Sequence, residues 1–481
     1  MADTINVILN EVKNLYQETI VAPATIPGTG AISVIRVSGP DCFRYADAVV
    51  KLKSGNISEC AGYTIHYGDV SELDDVLVSV FRAPHSYTGE DSVEISFHAS
   101  RYIADELVRR LLAAGCRLAG PGEFTRRAFL NGKMDLAQAE AVADLISSTT
   151  AASHRVAYNQ LRGGFSNELA LLRSELVEMT SLLELELDFS EEEVEFADRE
   201  RLVALIDKTR SHVSALADTF KYGNAIRNGV PVAIVGATNV GKSTLLNALV
   251  GEDRALVSDI AGTTRDTVEE VINLDGIPFR FIDTAGIRET AETVEKMGIE
   301  RTFRKISEAE IVIGMLDVTE PETSILDNLR MMVSKVNFGV QKFVLCLNKV
   351  DKAEESGVNK NVNTINNFVS SLNKELIVLK IAAKSGLGLS ELRSTLSRLE
   401  SHLIPNADST FVTNIRHYES LRNTAASLAD ARQALTSGIP ADLVAEDLRR
   451  AISSLNQILG TDLIDPESVL QNIFRNHCIG K

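Results

Sequence analysis

Eight residues, Gly236-Ala237-Thr238-Asn239-Val240-Gly241-Lys242-Ser243, have the types and spacing to hold a nucleotide phosphate. They follow an apolar run, Val232 to Val235, and lead into a helix-prone segment, Thr244 to Val250. Strand, glycine loop and helix in that order build a phosphate site. The glycines let backbone N–H groups turn inward on phosphate oxygens, and the new helix adds the positive end of its dipole. Lys242 then reaches the β- and γ-phosphates, and Ser243 is placed to hold Mg²⁺.

Further downstream, four more segments supply what a purine nucleotide needs, each next to an expected strand. Thr263 and Thr264 lie in the polar stretch Gly262-Thr263-Thr264-Arg265-Asp266, where a threonine joins the Mg²⁺ shell when γ-phosphate is present. Asp283-Thr284-Ala285-Gly286 ends the apolar run Phe279 to Ile282; its carboxylate orients Mg²⁺ and its glycine N–H senses γ-phosphate. Asn348-Lys349-Val350-Asp351 ends the run Phe343 to Leu347. Asp351 accepts two donors at once, which suits the N1–H and exocyclic amine of guanine and repels the acceptor N1 of adenine. Ala382-Ala383-Lys384, after Leu376 to Ile381, backs the base. The set specifies GTP.

The residue directly after Gly286 is Ile287, where small GTPases place a water-orienting glutamine. Isoleucine cannot align a water, so Glu289, Glu292 and Glu295 are the acidic candidates for that task. Positive charge for the transition state comes from Arg265, from Arg288 or from a monovalent cation. Asn239, inside the phosphate loop, offers a carbonyl oxygen to such a cation, and asparagine is also an ordinary turn residue.

These loops need elements to position them, and 481 residues is enough chain for roughly three domains of about 150 residues each. No run of ~18 apolar residues is present to span a bilayer. Cys42, Cys60, Cys116, Cys346 and Cys478 are odd in number and widely spaced, which predicts reduced thiols in a cytosol-like compartment and no structural zinc. The first residues, Met1 to Tyr16, have neither an arginine-rich face nor a small-residue cleavage site. A net charge of −17 opposes broad adhesion to nucleic acid, so any RNA contact must use a local basic patch or a partner's surface.

Patterning divides the chain into zones. From Thr19 to Lys133, short strands such as Ile32 to Val37 and Val93 to Phe97 alternate with turns and one helical stretch, Asp105 to Ala114, predicting an α+β domain. From Leu136 to Lys221 the pattern is helical, with Leu169, Leu172, Leu176, Met179 and Leu183 on one stripe. Ser190 with Glu193 forms a capping box, and the acidic run Glu191 to Glu195 reads as a solvated first turn. Pro231 to Leu396 alternates strand and helix as a mostly parallel sheet requires. Beyond it, Leu421, Ala425, Leu428, Ala431 and Leu435 form one helical stripe, and Leu448, Ile452, Leu455 and Leu459 another, stopped by Gly460. The two flanking helical zones are expected to pack together, with the GTPase inserted between them in sequence.

Three further stretches point to a family. Pro84-His85-Ser86-Tyr87-Thr88-Gly89-Glu90-Asp91, the block Pro121-Gly122-Glu123-Phe124-Thr125 through Asp135-Leu136, and the terminal Cys478-Ile479-Gly480-Lys481 closely resemble the MnmE family of tRNA uridine-modification GTPases, also called TrmE. The resemblance runs from about Thr19 to the last residue. It implies an α+β folate-binding and dimerising domain over 17–133, an all-α helical domain in two parts, 134–225 and 401–481, and an inserted α/β Ras-like P-loop GTPase domain over 226–400. It also implies a cytoplasmic homodimer that works on tRNA with an FAD-dependent partner of MnmG type, with no membrane attachment.

By the same resemblance, K⁺ supplies the charge that an arginine finger provides elsewhere, held by Asn239, Ser258, Ile260 and Thr263, while Ser243 and Thr264 hold Mg²⁺. The water-positioning carboxylate matches Glu295, and GTP contacts extend over Val240, Gly241, Thr244 and the stretch Ser258-Asp259-Ile260-Ala261-Gly262-Thr263-Thr264. A 5,10-methylenetetrahydrofolate donor matches Arg36, Glu94, Lys133 and Lys481, and Cys478 becomes a participant in the folate or uridine chemistry. His98-Ala99-Ser100 departs from the family's His-Gly-Gly, which bears on the backbone shape of that loop. A competing expectation is a regulatory GTP switch that binds RNA or the ribosome without modification chemistry. Such proteins often carry a Gly-x-x-Gly loop, whereas the glycines after residue 400 are Gly438, Gly460 and Gly480.

Overall fold

Alternating apolar residues at the start of the chain build a sheet that is covered by helices on one face. The computed structural model describes residues 17–26, 28, 30–188, 199–253, 270–282, 307–352, 355–372, 376–401 and 410–461. Strand β1 (Ile20–Pro23) pairs antiparallel with β2 (Ile32–Ser38). Helix α1 (Cys42–Val49), β3 (Lys51–Leu52), β4 (Thr64–Val70), β5 (Asp74–Phe81) and β6 (Ser92–His98) follow, then α2 (Arg101–Ala114) and β7 (Arg117–Leu118). The strands form one sheet in the order β3-β4-β5-β6-β2-β1-β7, with only the β1–β7 pair parallel. Period-two alternation sends Val76, Val78 and Val80 into a core with Phe43 and Ala46 of α1 and Leu107 and Leu111 of α2. On strands β4 and β5, Ile65, Tyr67 and Leu77 remain exposed, with Tyr67 directly opposite Leu77. Helix α2 begins one turn earlier than the expected Asp105, because Ile103 and Ala104 pack against this core.

Six helices come next: α3 (Glu123–Leu130), α4 (Leu136–Ser147), α5 (Ala151–Leu161), α6 (Gly164–Asp188), α7 (Arg199–Asp218) and α8 (Phe220–Asn228). All five residues of the expected α6 stripe, Leu169, Leu172, Leu176, Met179 and Leu183, are buried. Ser190 and Glu191 to Glu195 lie outside the described residues.

A second sheet follows, made of β8 (Val230–Val235), β9 (Glu270–Leu274), β10 (Ile277–Phe281), β11 (Ile311–Asp317), β12 (Lys342–Asn348) and β13 (Ile377–Lys380). Its order is β13-β12-β11-β8-β10-β9, and every pair is parallel except the β9–β10 hairpin. Helices α9 (Lys242–Asp253), α10 (Glu322–Val333), α11 (Glu355–Ser371) and α12 (Leu389–Leu399) alternate with these strands in the chain. Along β11, Ile311, Ile313 and Met315 pack with Leu245 and Leu249 of α9, while Val312 and Leu316 pack with Ile325 and Leu329 of α10. Both faces of the sheet are covered, as a parallel sheet requires.

Two helices close the described chain, α13 (Ile415–Thr436) and α14 (Ala441–Leu459). Leu421, Leu428, Ala431 and Leu435 are buried as expected, but Ala425 is only half-buried and Thr424 takes the inner position. Ile452 is likewise half-buried beside a fully buried Ala451. A period of 3.6 residues turns the apolar stripe gradually around a long helix, so a strict three-and-four count drifts off it. Helix α14 packs along α6, where Arg173 donates to Asn456 Oδ1 at 2.7 Å and Arg449 pairs with Glu184 at 2.7 Å.

Among the described residues the chain forms two compact units. One contains the chain up to Ser147, Ala157–Ala217 and the chain from Glu419 on; the other contains Ser148–Val156 and Asp218–Tyr418. No helix among the described residues is long and apolar enough to cross a membrane.

Candidate functional site

In an open parallel sheet, loops that leave the carboxyl ends of the strands converge on a ligand crevice. Strand β8 ends at Val235 and α9 begins at Lys242, so residues 236–241 form the turn between them. Gly236 has φ 155° and Gly241 φ 101°. A Cβ on Gly236 would lie 2.5 Å from the Met315 carbonyl oxygen, and one on Gly241 would lie 2.5 Å from Asn348 Nδ2. Only glycine lets this loop seat against the ends of β11 and β12. Asn239 is left-handed at φ 61° and exposed, a conformation asparagine tolerates.

Lys242 Nζ donates to Gly236 O at 2.9 Å and to Ala237 O at 2.7 Å. The ammonium therefore sits over the loop that would cradle phosphates. Ser243 and Thr244 occupy the first turn of α9, where unsatisfied N–H groups and the helix dipole favour an anion. The amide of Asn348 bridges two loops: Nδ2 donates to Val240 O at 2.7 Å, and Oδ1 accepts from the Ala383 N–H at 3.0 Å. Ala382 and Ala383 are buried, Lys384 is exposed, and Asp351 accepts from Ser385 Oγ at 3.4 Å. Phosphate loop, Asn348–Asp351 loop and Ala382–Lys384 loop are thus brought together at the carboxyl ends of β8, β12 and β13.

Lys349 is left-handed at φ 64° and pairs with Asp317 at the end of β11. Burial opposes ionisation of Asp317, yet bonds from the Lys349 ammonium and from Thr319 hold its carboxyl below the usual range. Asp317 was not singled out from sequence, although its place at the end of an apolar strand, level with Asn348 on β12, was the available signal. In the same core, burial pushes the Cys346 thiol up to about 12, which makes it inert. Cys42, Cys60 and Cys116 are also free thiols.

On the first sheet, Arg36 and Glu94 are cross-strand partners on β2 and β6, joined through Arg36 Nε at 2.9 Å and its Nη2 at 2.7 Å to Glu94 Oε1. The rings of Tyr87 and Phe124 lie 5.0 and 5.6 Å from the guanidinium carbon. Burial raises the Tyr87 pKa, and its hydroxyl bonds to Thr125 at 2.8 Å. Lys133 Nζ donates to Pro84 O at 3.0 Å, and its stem lies against Gly89, so the loop that carries Tyr87 meets both Arg36 and Lys133. A half-buried ion pair walled by aromatic rings fits a planar, donor-rich heterocycle. Among residues that sequence reasoning missed, the aromatics Tyr87 and Phe124 matter most; both sit in the quoted signature blocks.

Behind this wall runs a buried charge network. Glu123 accepts from Arg117 at 2.6 Å, from Arg127 at 3.0 Å and from the Gly120 N–H at 2.8 Å; Arg127 also pairs with Glu90 at 3.1 Å. Glu90 in turn accepts from Ser38 Oγ at 2.8 Å, which ties the segment to β2. A cavity of about 370 Å³ opens on it, lined in part by Gln17, Gly39, Asp91, Arg127 and Asn131. At the loop where the chain departs from His-Gly-Gly, neither Ala99 nor Ser100 has positive φ, and Ser100 is extended at φ −109° before α2. No glycine is needed there.

Ser258 to Thr264, Asp283 to Gly286, Glu289, Glu292, Glu295, Cys478 and Lys481 lie outside the described residues, as do Arg265, Ile287 and Arg288. Among the described residues no group of three or more His, Cys, Asp or Glu is placed to hold a metal ion.

Comparison with known proteins matches these features. The family model described as "GTP-binding protein TrmE N-terminus" covers residues 19–133, and the one described as "MnmE helical domain" covers 136–478. The chain is 47% identical over 475 residues to the tRNA modification GTPase MnmE of Bacteroides fragilis strain YCH46, covering 97% of this chain and 100% of that one. It is 46% identical over 473 residues to the MnmE of Parabacteroides distasonis, covering 96% and 100%. The MnmE of Bacteroides thetaiotaomicron is 47% identical over 473 residues, with 97% and 100% covered. Similar along nearly its whole length to such relatives, and matched over more than half of it by the helical-domain model, the chain belongs to the MnmE family of tRNA modification GTPases.

Proposed function

We propose that this chain is a K⁺-dependent GTP hydrolase that, with an FAD-dependent partner of MnmG type, adds a carboxymethylaminomethyl-type group at C5 of the wobble uridine of certain tRNAs. The one-carbon unit comes from 5,10-methylenetetrahydrofolate, and the work is done in the cytoplasm by a homodimer. The observation that carries the GTP half is the Asn348 amide, which ties the phosphate loop to the base-backing loop in a chain of this family. The exposed Ile65, Tyr67 and Leu77 on the first sheet support dimerisation through the N-terminal domain over 17–133. The inserted GTPase domain spans 226–400, between helical segments 134–225 and 401–481.

Each residue has a definite task in this scheme. Lys242 leaves the carbonyls of Gly236 and Ala237 for the β- and γ-phosphates, and Asp351 accepts from the guanine edge. Ser243 and Thr264 would hold Mg²⁺; Asn239, Ser258, Ile260 and Thr263 would hold K⁺. When bound, the two cations neutralise charge that develops on the phosphoryl oxygens. Asp283 to Gly286 contact γ-phosphate, and Glu295 orients the attacking water. In the N-terminal domain Arg36, Glu94 and Lys133, with Lys481 from the end of the chain, would bind the folate, with Tyr87 and Phe124 walling the site. Cys478 is assigned to the same chemistry.

Nucleoside analysis of tRNA tests the proposal. Cells lacking the protein, and cells carrying only Lys242→Ala, should lose the C5-modified wobble uridine, while the purified variant keeps its folate affinity. Unchanged nucleosides in both would leave a GTP switch without modification chemistry.

A further inference from the structure

Strand β11 ends in Asp317, in register with Asn348 at the end of β12. Its carboxylate is 6% exposed, and each oxygen has a separate task. Oδ1 accepts from the Thr319 N–H at 2.9 Å and from the Thr319 hydroxyl at 2.6 Å, while Oδ2 takes the Lys349 ammonium at 2.5 Å. Thr319 therefore orients the carboxylate that Lys349 meets. Lys349 needs such an anchor. A left-handed backbone at a residue with a Cβ is strained and persists only when its surroundings over-determine it. Around Lys349 the chain is also fastened by the Val318 N–H on Asn348 O at 3.1 Å, the Val350 N–H on Ile381 O at 3.4 Å and the Lys352 N–H on Lys349 O at 3.0 Å.

We propose that Asp317 is a positioning residue of the guanine site: it clamps the Lys349 side chain and the left-handed turn beneath it. Asn348, before that turn, is then aimed at the phosphate loop and Asp351, after it, at the base. The inference rests on the assignment of Asn348, Lys349 and Asp351 to guanine nucleotide. Asp317 itself touches no nucleotide; it acts through Lys349. Without the carboxylate, the half-buried ammonium loses its charged partner, the turn relaxes, and Asp351 no longer presents both oxygens to one base edge.

The full chain is titrated with GDP and ADP, and GTP hydrolysis is followed over a range of GTP concentrations. Asp317→Ala should weaken GDP binding about tenfold or more and raise KM for GTP similarly, with kcat at saturation falling less than twofold. Asp317→Asn, which keeps one acceptor oxygen, enough for Thr319 or for Lys349 but not for both, should restore only part of the affinity. The double variant Asp317→Ala/Lys349→Ala should bind GDP no more weakly than Lys349→Ala alone, because one acts through the other. Additive losses in the double variant, or undiminished GDP affinity in Asp317→Ala while Lys349→Ala is weakened, would overturn the clamp alone. A wild-type chain that does not prefer GDP to ADP, or a Lys349→Ala variant that binds GDP normally, would remove the guanine assignment and the clamp with it.

Discussion

Glu123 shows how far a single residue's chemistry depends on its neighbours. Burial works to raise its pKa, but bonds from Arg117, the Gly120 N–H and Arg127 outweigh that and bring it down to about 2. A carboxyl depressed in the folded state stabilises above its unfolded pKa, near 4.3, and loses that contribution as pH falls through the folded value. The N-terminal domain should therefore lose on the order of 2–4 kcal/mol between about pH 4.5 and pH 2. Melting curves of wild type and Glu123→Gln across that window check this: the wild-type curve should fall towards that of the variant as pH drops, and a constant gap would exclude Glu123 as the cause. The same residue explains why the signature block folds as it does. Charges this deeply buried hold only as a set, so Glu123, Arg127 and Glu90 stand or fall together.

At the level of elements, the apolar stripes of the helices were legible and their ends mostly so. Gly460 closes α14 at φ 78°, as its position after Leu459 predicts. Sequence did not reveal its second role. A Cβ there would meet Leu136 Cβ at 2.9 Å and the Phe129 ring at 2.9 Å, so the cap is also a packing contact with α3 and α4. Gly460→Ala should cost about 1–3 kcal/mol from backbone strain and crowding together. A lower melting temperature with GTP turnover retained is the expected result; an unchanged melting temperature would mean that the helix end moves aside freely. The expected strand positions were close for the buried sheet because continuous apolar runs such as Val232 to Val235 and Phe343 to Leu347 leave few alternatives. Helix α2 started early because burial of Ile103 and Ala104 overrode a local pattern that pointed to Asp105.

For the whole molecule, apart from Ser148–Val156, the chain leaves one compact unit after Ala217 and returns to it at Glu419, so the unit with the phosphate loop is largely an insertion in sequence. The proposed chemistry divides in the same way, with GTP bound in one unit and the Arg36–Glu94 pair in the other. If Asn239 serves a cation, GTP turnover at fixed ionic strength should be at least tenfold faster in K⁺ than in Na⁺. Equal rates in the two salts would assign the missing positive charge to a side chain.

Sequence alone pointed to the phosphate loop, to Asp351 as the expected reader of guanine and to the family resemblance, because each is a short run of residues whose chemistry depends on immediate neighbours. Tertiary structure alone decided that Lys349 meets Asp317, 32 residues away, and that Arg36 meets Glu94 across 58. The second contact follows from a sheet order that sets β2 beside β6, and the first from a parallel crossover that puts the ends of β11 and β12 in register. Strand order is chosen by burial summed over a whole core and by crossover geometry, and no local spacing records that sum.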